Sequence, residues 1–161
     1  MTERPKADIR DLILDKKDIE LTERKAGQMH MERDVFAFAQ AYDAMSFDER
    51  KKMEAAYAEE HGGDDMLLIG VIGVARRQLR AHMGAEKDYA AFMSEVEKLK
   101  ENGADLANLE EDEREDLDEA AFMVRGRSKR VSKADRDSHK VAKDVLDWAN
   151  NYVAAHPPSQ Q

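Results

Sequence analysis

Cysteine is absent from the 161 residues. That excludes disulfides, thiolate zinc sites, iron–sulfur ligation and cysteine nucleophiles together, and it fits a reducing compartment. Proline occurs 3 times and glycine 8 times, and aromatic residues make up 6% of the chain. With Ala, Glu, Lys, Leu and Met abundant, this scarcity favours helix over sheet. Long apolar runs are missing as well. The longest, Met66 to Val74, falls far short of the roughly 20 residues a transmembrane helix needs. The opening Met1-Thr2-Glu3-Arg4-Pro5-Lys6 leads into no apolar stretch, so no signal peptide is expected and a cytoplasmic location is the default.

Catalytic signatures are equally absent. There is no Gly-x-Ser-x-Gly elbow, no P-loop and no Gly-x-Gly-x-x-Gly turn. The five histidines are scattered, with neither His-Glu-x-x-His nor the Glu-x-x-His pair of di-iron bundles. Glu59, Glu60, His61, Asp64 and Asp65 are the best local cluster of hard-cation ligands. A helix end followed by an N-cap, where such residues are common, is the favoured explanation. An EF-hand loop starting at Asp112 fails, because its sixth position, which needs glycine, is Leu117. No catalytic residue, metal ligand or cofactor is therefore assigned, and the chain is expected to be non-enzymatic.

What the sequence does contain is core material and charge, at 42% hydrophobic and 38% charged residues with a net charge of −9. The length suits one domain with a real core. An all-α, single-domain irregular bundle of five to seven helices over residues 1–161 is predicted. Residues 1–21 form a short helix or mobile arm around Ile9, Leu12 and Ile13, and residues 154–161 a frayed tail.

From Thr22 to Met45 the residues Met31, Val35, Phe38, Ala39, Tyr42 and Met45 fall on one helical face. Ser46-Phe47-Asp48-Glu49 has capping-box spacing and opens a helix that Gly62-Gly63 stop. Asp64 or Asp65 caps the next helix, Met66 to about Met83, closed by Gly84. Its first half is apolar all round and is expected to be the central core element, with Gly70 and Gly73 admitting a neighbouring backbone. A buried strand there is rejected, since nothing strand-like exists to pair with it.

A helix over residues 86–101 ends at Gly103. An acidic helix follows, edged by Leu106, Leu109, Leu117, Ala120, Ala121 and Val124, and interrupted at Gly126. Ser132 is expected to cap the last helix, with Val141, Val145, Trp148, Ala149 and Tyr152 as its stripe.

The sharpest feature is a reversal of charge. Residues 110–119 hold eight acids against one base, and residues 125–133 hold five bases and no acid. Either the blocks lock onto each other or each faces a partner. Arg125, Arg127, Lys129, Arg130 and Lys133, continued by Arg136, Lys140 and Lys143, suit phosphate oxygens, with the last helix's N-terminus adding amide donors.

Val141, Val145, Trp148 and Tyr152 could dock a neighbouring subunit or close the chain's own bundle. Nine methionines suit adaptable interfaces as well as cores. A membrane-surface role for Met66–Met83 is set aside, because apolar residues surround that helix instead of forming one face. The function expected is protein–protein interaction, assembly or regulation, with self-association. Nucleic-acid binding through residues 125–143 is the alternative.

Overall fold

The computed structural model describes residues 9–23 and 33–159. Its elements are α1 (Ile9–Ile13), α2 (Lys16–Glu23), α3 (Arg33–Ala44), α4 (Phe47–Glu60), α5 (Met66–Glu101), α6 (Glu111–Ser138) and α7 (Lys143–Ala155). The fold is all-α, with no strand among the described residues. The helices gather into two compact units. The first is drawn from Met1–Arg24 and His82–Ser132, the second from Lys25–Ala81 and Lys133–Gln161.

In the second unit the core joins Phe38, Tyr42, Met53, Leu68, Val71 and Ala149, and α3 packs on α7. The buried face of α3 is the predicted one, Val35, Phe38, Ala39 and Tyr42. Met29 and Met31 lie outside the described residues. The capping box forms as expected. The Glu49 N–H donates to Ser46 Oγ at 3.2 Å, and the Ser46 N–H donates to Glu49 Oε1 at 2.9 Å. Gly62 and Gly63 end α4 at φ +67° and +89°, a left-handed backbone that side chains rarely tolerate. Asp64 Oδ1 then accepts from the Met66 N–H, which satisfies one free donor of the first turn of α5.

In the first unit the core joins Ile9, Leu14, Phe92, Val96, Leu117 and Val124. Of the segment read as a short helix or mobile arm, the described part is helical, as α1 and α2. Ile9, Leu14 and Leu21 are buried, and Arg10 Nη1 donates to the Tyr89 hydroxyl at 2.6 Å.

Two predicted helix breaks do not occur. Gly84 lies inside α5 and Gly126 inside α6, both at negative φ. One glycine costs a helix about 1 kcal/mol, less than the packing of the apolar residues around it supplies. At Gly84 the small residue has a reason. A Cβ there would sit 2.9 Å from Arg127 Cζ and Nη1. Ser132 is likewise internal to α6, and α7 starts after Ala142 with no side-chain cap. The tail expected to fray from residue 154 remains helical through Ala155. Beyond it the Ser159 N–H and Oγ–H both donate to Glu49, at 3.1 Å.

Candidate interaction surfaces

The reversal of charge resolves into one helix. The acidic block leads into and begins α6, with Glu111, Asp112 and Glu113 in its first turn, and Arg136 lies in its last. Acids at the N-terminus and bases toward the C-terminus complement the helix macrodipole. The two blocks therefore follow one another along a single axis. Of the two alternatives, the lock finds no support: among the described residues no ion pair joins the blocks.

The basic residues divide by environment. Arg127 is half-buried and donates through Nε to Asp88 Oδ2 at 2.9 Å. Arg125 donates to the Ile13 carbonyl at 3.1 Å. Arg127 is part of the packing of the first unit, whereas Arg125 is exposed. Lys129 and Arg130 in that unit, and Lys133, Arg136, Lys140 and Lys143 in the second, are exposed. Among the described residues none of these six forms an ion pair. Gly126, Ser128 and Ser132 are all helical, and Ser128 is buried. The amides expected to help bind phosphate at Ser132 are committed to helix hydrogen bonds.

The aromatic stripe of α7 closes its own unit. Val145 is buried beside Leu146 and Ala149, and Val141, Trp148 and Tyr152 pack against the same core. Trp148 meets Tyr57 edge-on at 5.0 Å between centroids and stacks on Tyr152 at 5.4 Å. Its indole N–H donates to Glu60. Burial pushes the Tyr57 phenol above its ordinary value, with the charges of Asp144 and Asp64 acting the same way.

His61 and His156, the C-caps of α4 and α7, repeat one arrangement. Each ring stacks on the tyrosine four residues earlier, and each Nδ1–H donates to that tyrosine's carbonyl, at 2.8 and 3.1 Å. With His61, Glu60 and Asp64 so engaged, their roles in this fold are capping and packing. Among the described residues no group of three or more His, Asp or Glu is placed to hold a metal ion.

The N-terminal half of α5 departs most from expectation. Leu68, Val71 and Ile72 are buried, but Met66 is 72% exposed, Leu67 61% and Ile69 48%. Among the described residues no backbone approaches Gly70, and a Cβ on it would meet nothing within 4 Å. The result is a groove of about 490 Å³ in the second unit. Its apolar lining comes from Met66, Leu67, Val71, Val74, Val141 and Ala142. Arg77, Lys140 and Asp137 supply its charge. The signal in the sequence is an apolar run too continuous for one buried face, a pattern that suggests a wholly interior helix.

A second surface missed in the sequence is polar and internal. Gln78 is fully buried, and its Nε2 donates to Asp135 Oδ1 at 3.2 Å and to Ser138 Oγ at 3.3 Å. The Ser138 hydroxyl donates in turn to the Asp135 carbonyl at 2.7 Å. These groups specify how α5 and the end of α6 pair within the second unit.

No family model, curated protein or solved structure matches the chain.

Proposed function

We propose that this protein is a non-enzymatic helical interaction protein, an assembly or regulatory component of the cytoplasm that docks a protein partner in the groove on α5. The observation that carries this reading is the exposure of Met66, Leu67 and Ile69 in one stretch of helix beside an open Gly70. Contiguous exposed apolar surface is costly to keep and marks contact sites when charged residues border it. Met66 supplies an adaptable side chain, and Gly70 lets a partner's side chain approach the helix backbone. No helix among the described residues is long and apolar enough to cross a membrane, and the reading involves no membrane contact and no cofactor.

The test is a photo-cross-linking residue at position 67, with position 129 as control. Protein adducts at 67 that disappear in Gly70→Glu are expected. Absence of adducts at 67, or persistence in Gly70→Glu, overturns the reading.

The alternative is nucleic-acid binding. It is favoured by Lys129, Arg130, Lys133, Arg136, Lys140 and Lys143, exposed and without ion pairs among the described residues. Such a role would show as affinity for DNA or RNA that falls steeply with salt.

A further inference from the structure

The groove on the second unit has a counterpart on the first. Phe122 is 69% exposed and Met123 47% exposed on α6. They are preceded by acids on the same helical faces. Glu115 and Glu119 stand seven and three residues before Phe122, and Asp116 and Glu119 seven and four before Met123. Glu115, Asp116 and Glu119 are all exposed and form no ion pair among the described residues. This surface is an apolar knob with negative charge one to two turns away.

The groove has the complementary order. Met66, Leu67 and Gly70 form its apolar end on α5, and Arg77 lies two turns further along the same helix. Gly70 to Arg77 and Glu115 to Phe122 are each seven residues apart, about 10 Å along a helix axis. Arg77 and Lys140 outnumber the single carboxylate, Asp137, in the lining, and neither cation is in an ion pair among the described residues.

From this we infer that the groove receives the Phe122–Met123 segment of a second copy of this chain. Phe122 fills the space over Gly70 between Met66, Leu67 and Val74, and Glu115 or Glu119 reaches Arg77. Two grooves face to face would oppose Arg77 and Lys140 to their own kind, and two Phe122 surfaces would oppose their acids. Each surface thus prefers the other over itself, and the contact is heterologous. The inference rests on reading the groove as a docking surface, and it names the occupant.

The test is sedimentation velocity of the full chain over a range of concentrations, at low and high salt, for wild type, Gly70→Glu and Phe122→Ser. Gly70→Glu adds a better helix former where a Cβ meets nothing. Phe122→Ser changes an exposed side chain. Circular dichroism and urea unfolding verify that both variants fold.

Wild type is expected to self-associate with an affinity that weakens in salt, and each variant to lose about tenfold or more of it. The decisive arm mixes the two variants. Gly70→Glu retains the Phe122 surface and Phe122→Ser retains the groove, so the mixture should give a one-to-one dimer that neither gives alone. A wild type that stays monomeric, an association indifferent to either variant, or a mixture that does not pair overturns the inference. If wild type is monomeric but position 67 still cross-links another protein, the docking reading stands with a different occupant. If both fail, both are wrong.

Discussion

Arg127 donates to Asp88 at 2.9 Å across the point where Gly84 has no side chain. The bond makes the glycine and the ion pair one unit. A Cβ on residue 84 would lie 2.9 Å from the guanidinium carbon, so alanine there must push Arg127 aside and disturb the pair. In isolation Gly→Ala inside a helix is worth about 1 kcal/mol of stability. In the wild-type background we expect most of that gain to be cancelled. In an Arg127→Ala background we expect Gly84→Ala to stabilise by about 1 kcal/mol. Urea unfolding of the four proteins measures the coupling, and equal effects in both backgrounds would show that the residues act independently.

Glu49 receives the Ser46 and Ser159 backbone amides, with their hydroxyls adding to the effect, and its carboxyl is held below the usual value. A depressed carboxylate contributes stability that is fully present above the unfolded-state value and is lost as pH falls through the folded one. The melting temperature of wild type should therefore fall between about pH 5 and about pH 3 by more than that of Glu49→Gln. Ser46→Ala should cost about 1 kcal/mol at neutral pH, measured by the same melts. A pH profile for Glu49→Gln as steep as wild type would remove Glu49 from the account.

Trp148 is the single tryptophan, so its fluorescence reports the docking of α7 alone. Half-buried against Tyr57 and bonded to Glu60, it should cost about 2–3 kcal/mol on replacement by alanine. Tyr57→Phe keeps the edge-on ring contact and removes the phenol. The raised Tyr57 group favours the neutral form in the folded state. Its stabilising share is thus present below the ordinary tyrosine value of about 10 and is lost as pH rises above it. Alkaline unfolding followed at Trp148 should come at higher pH in Tyr57→Phe than in wild type, and an unchanged midpoint would contradict this.

The parts of the fold that are legible in the sequence are those carried by local chemistry. The Ser46–Glu49 box, the Gly62-Gly63 stop and the Gly103 stop each depend on a few adjacent residues, and each forms as expected. Long-range packing is not legible in the same way. On α6 seven of the eight buried residues, Leu117, Ala121, Val124, Ser128, Val131, Asp135 and Ser138, recur at alternating steps of four and three. Three of the seven are polar, so a hydrophobic pattern search ends at Val124 and places a break at Gly126. Gln78 hides the same seam on α5. The opposed charges are visible at once, but their reason, one helix axis running through both blocks, needs the continuity of α6. The groove escapes for the opposite cause. An unbroken apolar run from Met66 to Val74 looks buried from every side, yet Met66, Leu67 and Ile69 face out.

The buried set around Gln78 gives a prediction free of any function. Among the described residues Gln78 Oε1 has no hydrogen-bond partner, while Nε2 serves Asp135 and Ser138. Gln78→Leu removes the orphaned acceptor but deprives a buried carboxylate of a donor. The second effect should dominate, because leaving a buried polar group unsatisfied costs about 1–3 kcal/mol. Paired with Asp135→Leu the loss should be smaller than the sum of the two single losses, because the bond between them is then counted once. Denaturant unfolding of the single and double variants decides, and additive losses would show that the two residues are uncoupled.

The exposed cations and the tied ones should separate cleanly. Arg127→Gln breaks the bond to Asp88 in a half-buried setting and is expected to lower stability by about 1 kcal/mol, leaving any retention of DNA or RNA unchanged. Lys129→Gln with Arg130→Gln alters side chains in solvent, so stability should move by less than about 0.5 kcal/mol. Removing cations that neutralise phosphates would instead flatten the salt dependence of binding. Filter retention of labelled DNA and RNA at two salt concentrations, run beside urea unfolding, reads both effects. Retention that follows Arg127 and ignores Lys129 and Arg130 would mean that the Asp88 pair opens to release a phosphate-binding arginine. Retention that follows the exposed pair, with a steep salt slope, would move the nucleic-acid alternative ahead of the docking reading.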